Sequence, residues 1–271
     1  MSVIPLYPQK IKEAKLLRKS GSTYEKIAKF LRISETCVFT HCRDYVDQRR
    51  KYSVDETFFN TINDENKAYL LGLILADGCV TDKKLSIGLK ASDSAIVVRM
   101  KKIMGFTGPV SFRSNGVGKL AEMHIFSRKI CESLRKYGVV PNKTYVGFNL
   151  PRLRKKLMRH FIRGYFDGDG TFFHDHRWRK TLYFGFIGKM GFIKQLQEYL
   201  VDNLEITKTK PQKHNSDIVI IQNGKVADVV NFIEYIYKDA SLYLDRKRER
   251  AFIWIERLNK MANSKGLKCK Q

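Results

Sequence analysis

Leu70-Leu71-Gly72-Leu73-Ile74-Leu75-Ala76-Asp77-Gly78 and Ile162-Arg163-Gly164-Tyr165-Phe166-Asp167-Gly168-Asp169-Gly170 are two versions of one pattern. Each predicts a helix with small residues at i and i+4, Gly72/Ala76 and Gly164/Gly168, on a single face. Small residues so spaced let two helix backbones approach closely. Each segment then ends on an aspartate followed by glycine, the residue that adopts a left-handed helix stop without steric cost. If the helices pack on each other, Asp77 and Asp169 meet at their C-terminal ends. The macrodipole there disfavours an acid by about 0.3–1 kcal/mol, and neighbouring carboxylates repel. A bound divalent cation would resolve both penalties.

The copies lie 169 − 77 = 92 residues apart, a domain-scale duplication. On this doubled motif the chain resembles the LAGLIDADG homing endonucleases of the single-chain, two-motif type, over roughly Phe58 to Leu258. Leu75 departs from the pattern, standing where the motif has its first aspartate. The family's metal-binding aspartate is the second, present in both copies. The resemblance implies an α+β fold: a duplicated αββαββα core with two antiparallel sheets and pseudo-twofold symmetry, acting as a monomer. It also implies site-specific hydrolysis of double-stranded DNA at a long asymmetric site.

Such hydrolysis needs charge neutralised at the phosphate, an activated water and a stabilised leaving oxygen, which two metal ions roughly 3.5–4 Å apart supply together. Mg2+ suits one or two carboxylates plus waters, and Mn2+ is an expected substitute. By resemblance, Asp77 and Asp169 hold two or more such ions with help from the carbonyls of Ala76 and Gly168. Lys143, in Pro141-Asn142-Lys143-Thr144, and Lys247, in Leu244-Asp245-Arg246-Lys247-Arg248, resemble the family's paired active-site lysines, with Arg246 competing for the second place. Asp93 lies near the family's polar water-network position.

The net charge of +24 over 271 residues points to a nucleic-acid partner. No apolar run approaches the ~18 residues of a membrane span, and the N-terminus lacks the pattern of a secretory signal. Five cysteines without a C-x-x-C pair argue for a reducing compartment. The expectation is a cytoplasmic, bacterial or phage-encoded protein. Cys37, His41 and Cys42 could suggest zinc, but core filling in a small helical unit is the preferred reading, and the His174-Asp175-His176 cluster reads as a hairpin tip.

Residues 8 to 46 are helical in pattern, within an N-terminal domain bounded at 1–46. Ile11, Ala14, Leu16 and Leu17 form an apolar face, Ser22 with Glu25 makes a capping box, and Ser34 suits the N-cap of a third helix. This three-helix helix-turn-helix domain resembles the DNA-binding end of resolvase and invertase recombinases. Its outward positions Glu35, Thr36, Phe39, Thr40 and Arg43 would face the major groove. Residues 47–57 read as a basic linker, 58–147 as the first half, 148–262 as the second, and 263–271 as a basic tail.

Within each half the pattern predicts strand, strand, helix, repeated. Leu85, Ile87 and Leu89 alternate strictly with Ser86, Gly88 and Lys90. A strand is expected near Ile206–Lys210, with Lys208, Lys210 and Lys213 alternating along it. Open sheet faces carrying polar alternates, Lys90, Lys208 and Lys210 among them, would bind DNA. Two rivals stand beside this reading: a DNA-binding regulator of the same fold that does not cleave, and an intron maturase that binds RNA. Retention of both aspartates speaks against the first.

Overall fold

The computed structural model describes residues 8–42, 51–114, 116, 118–174, 181–215 and 217–264. They divide into two compact units, 1–53 and 54–271.

The N-terminal unit holds three helices: α1 (Pro8–Lys19), α2 (Tyr24–Leu31) and α3 (Glu35–Cys42). Ala14, Ile27, Ala28, Leu31, Val38 and Cys42 form its core, with Leu17, Tyr24 and Ile33 packed against them. Two details differ from expectation. Thr23, not Ser22, caps α2, its hydroxyl accepting from the Lys26 N–H, because Thr23 is the residue that takes the extended cap conformation three positions before that donor. Leu16 is exposed, so the apolar face of α1 is narrower than its sequence pattern. Ser34 does accept from the Cys37 N–H at 3.2 Å. Arg32 supplies the left-handed turn into α3.

The larger unit is organised around α4 (Glu65–Asp77) and α8 (Lys155–Asp169), the two motif helices. Asp64 caps α4 through the Lys67 N–H at 2.9 Å. After α4 come β1 (Gly78–Val80), β2 (Lys84–Lys90), α5 (Ser94–Ile103), β3 (Ser111–Ser114), β4 (Lys119–Phe126), α6 (Arg128–Arg135) and the one-turn α7 (Lys143–Val146). After α8 the order repeats as β5 (Gly170–His174), β6 (Leu182–Lys189), α9 (Met190–Leu204), β7 (Gln212–Lys213), β8 (Ile218–Asn223), α10 (Val226–Tyr237) and α11 (Asp245–Ser264). The strands form two antiparallel four-stranded sheets, ordered β1-β2-β4-β3 and β5-β6-β8-β7. Helices α5 and α6 pack on the first sheet, α9 and α10 on the second. Leu85, Ile87 and Leu89 are buried as their alternation requires. No helix among the described residues is long and apolar enough to cross a membrane.

Helices α4 and α8 touch backbone to backbone. A Cβ on Gly72 would lie 2.1 Å from the Phe161 carbonyl oxygen and 2.7 Å from the Tyr165 nitrogen. One on Gly164 would lie 1.9 Å from the Tyr69 oxygen and 2.9 Å from the Leu73 nitrogen. These pairs are related by the same 92-residue offset as the motifs (161 − 69 = 92, 165 − 73 = 92), so the duplication is a true twofold at the crossing.

Two expectations fail. Gly78 and Gly170 are not left-handed: both are extended, with φ of −78° and −90°, because the chain passes straight from each helix into a strand. Glycine is needed there for space. A Cβ would meet the Ile74 carbonyl oxygen at 2.6 Å or the Phe166 ring at 2.1 Å. The segment 206–211 is also not a strand. Side chains hold its backbone instead: Asp228 accepts from the Thr207 N–H, and the amides of Asn223 and Gln197 donate to the carbonyls of Thr207 and Thr209. Lys208 and Lys210 are exposed on that loop, and only Lys213 lies in a strand.

Gly164→Ala should therefore destabilise the protein by about 3 kcal/mol or more, since a backbone atom cannot yield as a side chain can. Gly191→Ala, in α9 with nothing within 4 Å of the added carbon, should be neutral or stabilising by up to about 1 kcal/mol. Urea unfolding of the two variants checks this, and comparable midpoints would contradict the close crossing.

Candidate active site

Because α4 and α8 cross at Gly72 and Gly164, their C-terminal ends emerge together. A Cβ on Gly168 would sit 2.3 Å from the Ala76 Cβ and 2.8 Å from an Asp77 carboxylate oxygen. Asp77 thus lies over the last turn of the opposite helix, beside Asp169. Crowding by the helix ends and repulsion from Asp169 push the Asp77 carboxyl up to about 6. The group still reaches solvent at the rim of the site. Burial also raises Asp169, against the pull of Lys143 and of the Tyr165 hydroxyl. Tyr165 has a single proton, and it serves either that carboxylate or the Ile187 carbonyl at 3.0 Å. The matching residue in the first copy is Leu73 (165 − 92 = 73), so Asp77 has no such donor.

Both expected lysines reach this place. The Lys143 ammonium donates to the carbonyls of Ala76 (3.1 Å) and Gly78 (2.6 Å) at the end of α4. Lys247 donates to Phe166 (2.5 Å), Asp167 (2.7 Å) and Gly170 (2.5 Å) at the end of α8. Each lysine therefore satisfies carbonyls that a helix C-terminus leaves open, and sets a cation against the negative end of the dipole. They are not equivalent. Lys247 is buried at 6% exposure, all three of its hydrogens have carbonyl acceptors, and burial lowers it to about 8. Lys143, also lowered by burial, has two acceptors among the described residues and keeps a hydrogen for the carboxylate side.

Arg246, the other candidate for the second lysine's place, turns instead to Asp93. Its Nε reaches both carboxylate oxygens, at 3.1 and 3.0 Å. This ties the first half, through a carboxylate only 8% exposed, to the start of α11. Asp93 thus has both oxygens engaged by a cation.

Sequence reading missed the polar core behind Asp169. Asp167 is fully buried, accepts from the Tyr69 hydroxyl (2.8 Å) and the Leu244 N–H (2.8 Å), and is raised by burial to about 6. Arg163, with 0% exposure, donates to the carbonyls of Leu242 (2.6 Å) and Ile236 (2.8 Å). These contacts lock the segment before α11, and hence Lys247, onto α8. The available signal was the mismatch between copies: Arg163, Tyr165 and Asp167 replace Leu71, Leu73 and Leu75.

Among the described residues no cluster of three or more His, Cys, Asp and Glu exists. The donors at the site are two crowded carboxylates and backbone carbonyls, all oxygen, which fits a hard divalent cation that keeps several waters. Of the two expected carbonyl ligands, that of Ala76 already accepts from Lys143, while Lys247 passes over Gly168 to its neighbours. A cavity of about 220 Å³ opens beside Asp169 and Lys143, lined further by Tyr165, Ile187, Lys189 and Ile218.

The DNA-facing expectations fall elsewhere. Lys90 is exposed at the inner end of β2. Thr36, Phe39 and Thr40 are exposed on α3, Phe39 edge-on against Tyr24 and the Thr40 hydroxyl bonded back to the Thr36 carbonyl. Arg43, Asp175 and His176 lie outside the described residues.

Residues 156–237 match the family model described as a LAGLIDADG-like domain. A curated relative, the DNA-directed RNA polymerase subunit Rpo1C of Methanocaldococcus jannaschii, is 29% identical over 114 residues, which span 40% of this chain and 13% of that one. Three solved structures align over most of the chain. The LAGLIDADG meganuclease I-AabMI bound to uncleaved DNA is 14% identical, with a TM-score of 0.51 over 76% of this chain and 94% of its own. I-GzeII with its DNA target is 16% identical, with a TM-score of 0.51 over 78% and 94%. I-SmaMI bound to cleaved DNA is 13% identical, with a TM-score of 0.51 over 77% and 93%. The unit that carries Asp77 and Asp169 has the LAGLIDADG homing endonuclease fold.

Proposed function

We propose that the protein is a site-specific endonuclease that hydrolyses double-stranded DNA with Mg2+, with Mn2+ able to substitute. The observation that carries this reading is the pairing of Asp77 and Asp169 at the crossed helix ends, each beside a lysine that caps its helix. A structural role alone does not require two carboxylates where the helix dipoles and mutual repulsion both oppose them. Divalent ions bound there would polarise the phosphate and lower the pKa of an attacking water. Asp77 and Asp169 would hold them, with the carbonyls of Ala76 and Gly168 within the same turns. Lys143 places its remaining N–H beside the carboxylates, where it can orient water and stabilise charge on the phosphate. Lys247 serves as a positioning residue, pinning the corner between α8 and β5 on which Asp169 rides. The open sheet faces would lie on the duplex. The N-terminal unit, with Thr36, Phe39, Thr40 and Arg43 outward, would extend the site as a helix-turn-helix. The single chain would act as a monomer.

Incubation with a library of duplex targets should yield discrete double-strand cuts with Mg2+ and none with EDTA. Asp169→Asn should abolish cutting while binding persists, since it removes a metal ligand and one charge that repels phosphate. Sequence-specific binding without cleavage by the unmodified protein would establish the regulator instead.

The two lysines should separate. Lys143→Met should slow cleavage about 10²–10³-fold, the range for losing one charge-stabilising donor, with a smaller loss of stability than at Lys247 because two carbonyls rather than three lose a donor. Lys247→Met removes a buried donor shared by three carbonyls, of which that of Phe166 keeps the Gly170 N–H, and should cost about 3 kcal/mol or more of folding free energy as well. Urea unfolding alongside single-turnover kinetics distinguishes them; equal stability losses would contradict the assignment.

Metal affinity should depend on pH through Asp77. Its proton, held with a pKa of about 6, competes with the cation, so Mg2+ binding should strengthen from pH 5 to 7 and then level off. Without metal the sign reverses. A carboxyl raised above its unfolded value favours folding below about pH 4, and that contribution disappears as pH rises through about 6. Titration calorimetry of the free protein checks this, and an affinity unchanged between pH 5 and 7 would refute it.

A further inference from the structure

The two sheets carry different chemistry on the faces that no described helix covers. Strand register assigns each residue to a face, because directly opposed residues in antiparallel strands share one. On the first sheet Ile87 opposes Met123 and Leu89 opposes Ala121, all buried against α5 and α6. The alternate positions form the open face: Lys84 and Lys90 on β2, Arg113 on β3, and Glu122 and His124 on β4. Leu120 and Phe126, toward opposite ends of β4, are its apolar members.

On the second sheet Phe184, Phe186 and Ile221 are buried against α9 and α10. The open face then carries Phe173, Tyr183, Ile187, Ile218 and Ile220. The expected pattern of polar alternates thus holds for one sheet and fails for the other. Phe173 and Tyr183 stack with centroids 5.3 Å apart at 20°. The polar members of this face are Thr171, Lys189 and two glutamines, Gln212 and Gln222.

Both faces adjoin the carboxylates. Ile187, Lys189 and Ile218 line the cavity that contains Asp169 and Lys143. Exposed Cys79, opposite Ser86 on the first open face, lies within electrostatic reach of Lys143. The cation of the second open face is Lys189, opposite Ile218, whereas exposed Lys213 opposes buried Val219 and so belongs to the other face. An apolar strip that ends at Lys189, continuous with the proposed phosphate-cutting site, suits a duplex: phosphate on the lysine, base edges on the strip.

Base-edge chemistry then distinguishes the halves. In the major groove the apolar group is the thymine methyl, and glutamine pairs bidentately with adenine. Lysine and arginine donate to guanine, and glutamate accepts from cytosine. Isoleucines and aromatics interleaved with glutamines therefore match both members of A·T pairs, whereas Lys84, Lys90, Arg113 and Glu122 match G·C pairs. We infer that the second-half sheet reads an A·T-rich half-site, largely through thymine methyls, and the first-half sheet a half-site richer in G·C. The inference rests on the endonuclease reading and deepens it.

The test uses the full chain in EDTA with a random duplex library, followed by sequencing of bound duplexes. The selected site should have one A·T-dominated half. Replacing the thymines of that half by deoxyuridine, which lacks the methyl, should weaken binding about tenfold or more, while the same replacement in the other half should change little. Ile220→Gln should relax selection and remove uracil sensitivity in the A·T half alone, and Arg113→Gln should relax the other. The uracil measurement needs no variant, so it stands if a substitution fails to fold. A selected site with equal or absent uracil sensitivity in both halves, or an Ile220→Gln change in the wrong half, overturns the inference and leaves the endonuclease reading intact. Failure to select any duplex overturns that reading itself.

Discussion

The structure depends on two helix backbones touching where no side chain intervenes. At Gly72 and Gly164 even a methyl group would collide with a carbonyl oxygen of the facing helix. That contact sets the separation and register of α4 and α8, and everything functional is downstream of it. Strands β1 and β5 start one residue after the aspartates, so the sheets are carried outward from the same axis that brings the carboxylates inward. A wider crossing would separate Asp77 from Gly168 and tilt both sheets together. The carboxylate pair and the open sheet faces are therefore one geometric object.

Close approach has an electrostatic consequence. Two parallel helix ends concentrate open carbonyls and negative dipole ends at the point where the chain also places two acids. Lys143 and Lys247 offset part of this by donating to those carbonyls, each arriving from the segment that closes its own half. The remaining strain is visible in carboxyl groups held above their ordinary range. Under the proposed reading, a bound cation would relieve a repulsion already present.

Much of this was legible in the residues. The duplicated motif located the helices, the crossing face and both aspartates, and the alternation of Leu85, Ile87 and Leu89 located a strand and its buried side. The lysines came by resemblance, and their carbonyl contacts could not be foreseen. What failed has a common cause in tertiary context. Gly78 and Gly170 are needed for space rather than for handedness, which depends on where the chain goes next. The 206–211 loop has strand-like alternation, but Asp228, Asn223 and Gln197 occupy its backbone groups. The helix α11, rich in charge, has no strong apolar period to announce it. Arg163 and Asp167 read as ordinary polar variation within a motif, because their partners, Leu242, Ile236 and Leu244, lie about 75 residues away in the chain.

Divergence between the copies follows from their being joined. Two identical subunits on a twofold axis must present the same face twice, and so recognise a symmetric sequence. A single chain retains the symmetric crossing, since Gly72 and Gly164 must still fit each other, but it frees every residue off that axis. The changes are arranged accordingly. Leu71, Leu73 and Leu75 on one helix correspond to Arg163, Tyr165 and Asp167 on the other; Arg163 and Asp167 fasten α8 to the α10–α11 region by hydrogen bonds, and Tyr165 donates to the Ile187 carbonyl in β6. Farther out, one open sheet is ionic and the other apolar. Symmetry is thus strict where two backbones meet and relaxes with distance from that contact, which is the gradient expected when close packing constrains the centre and an asymmetric ligand shapes the periphery.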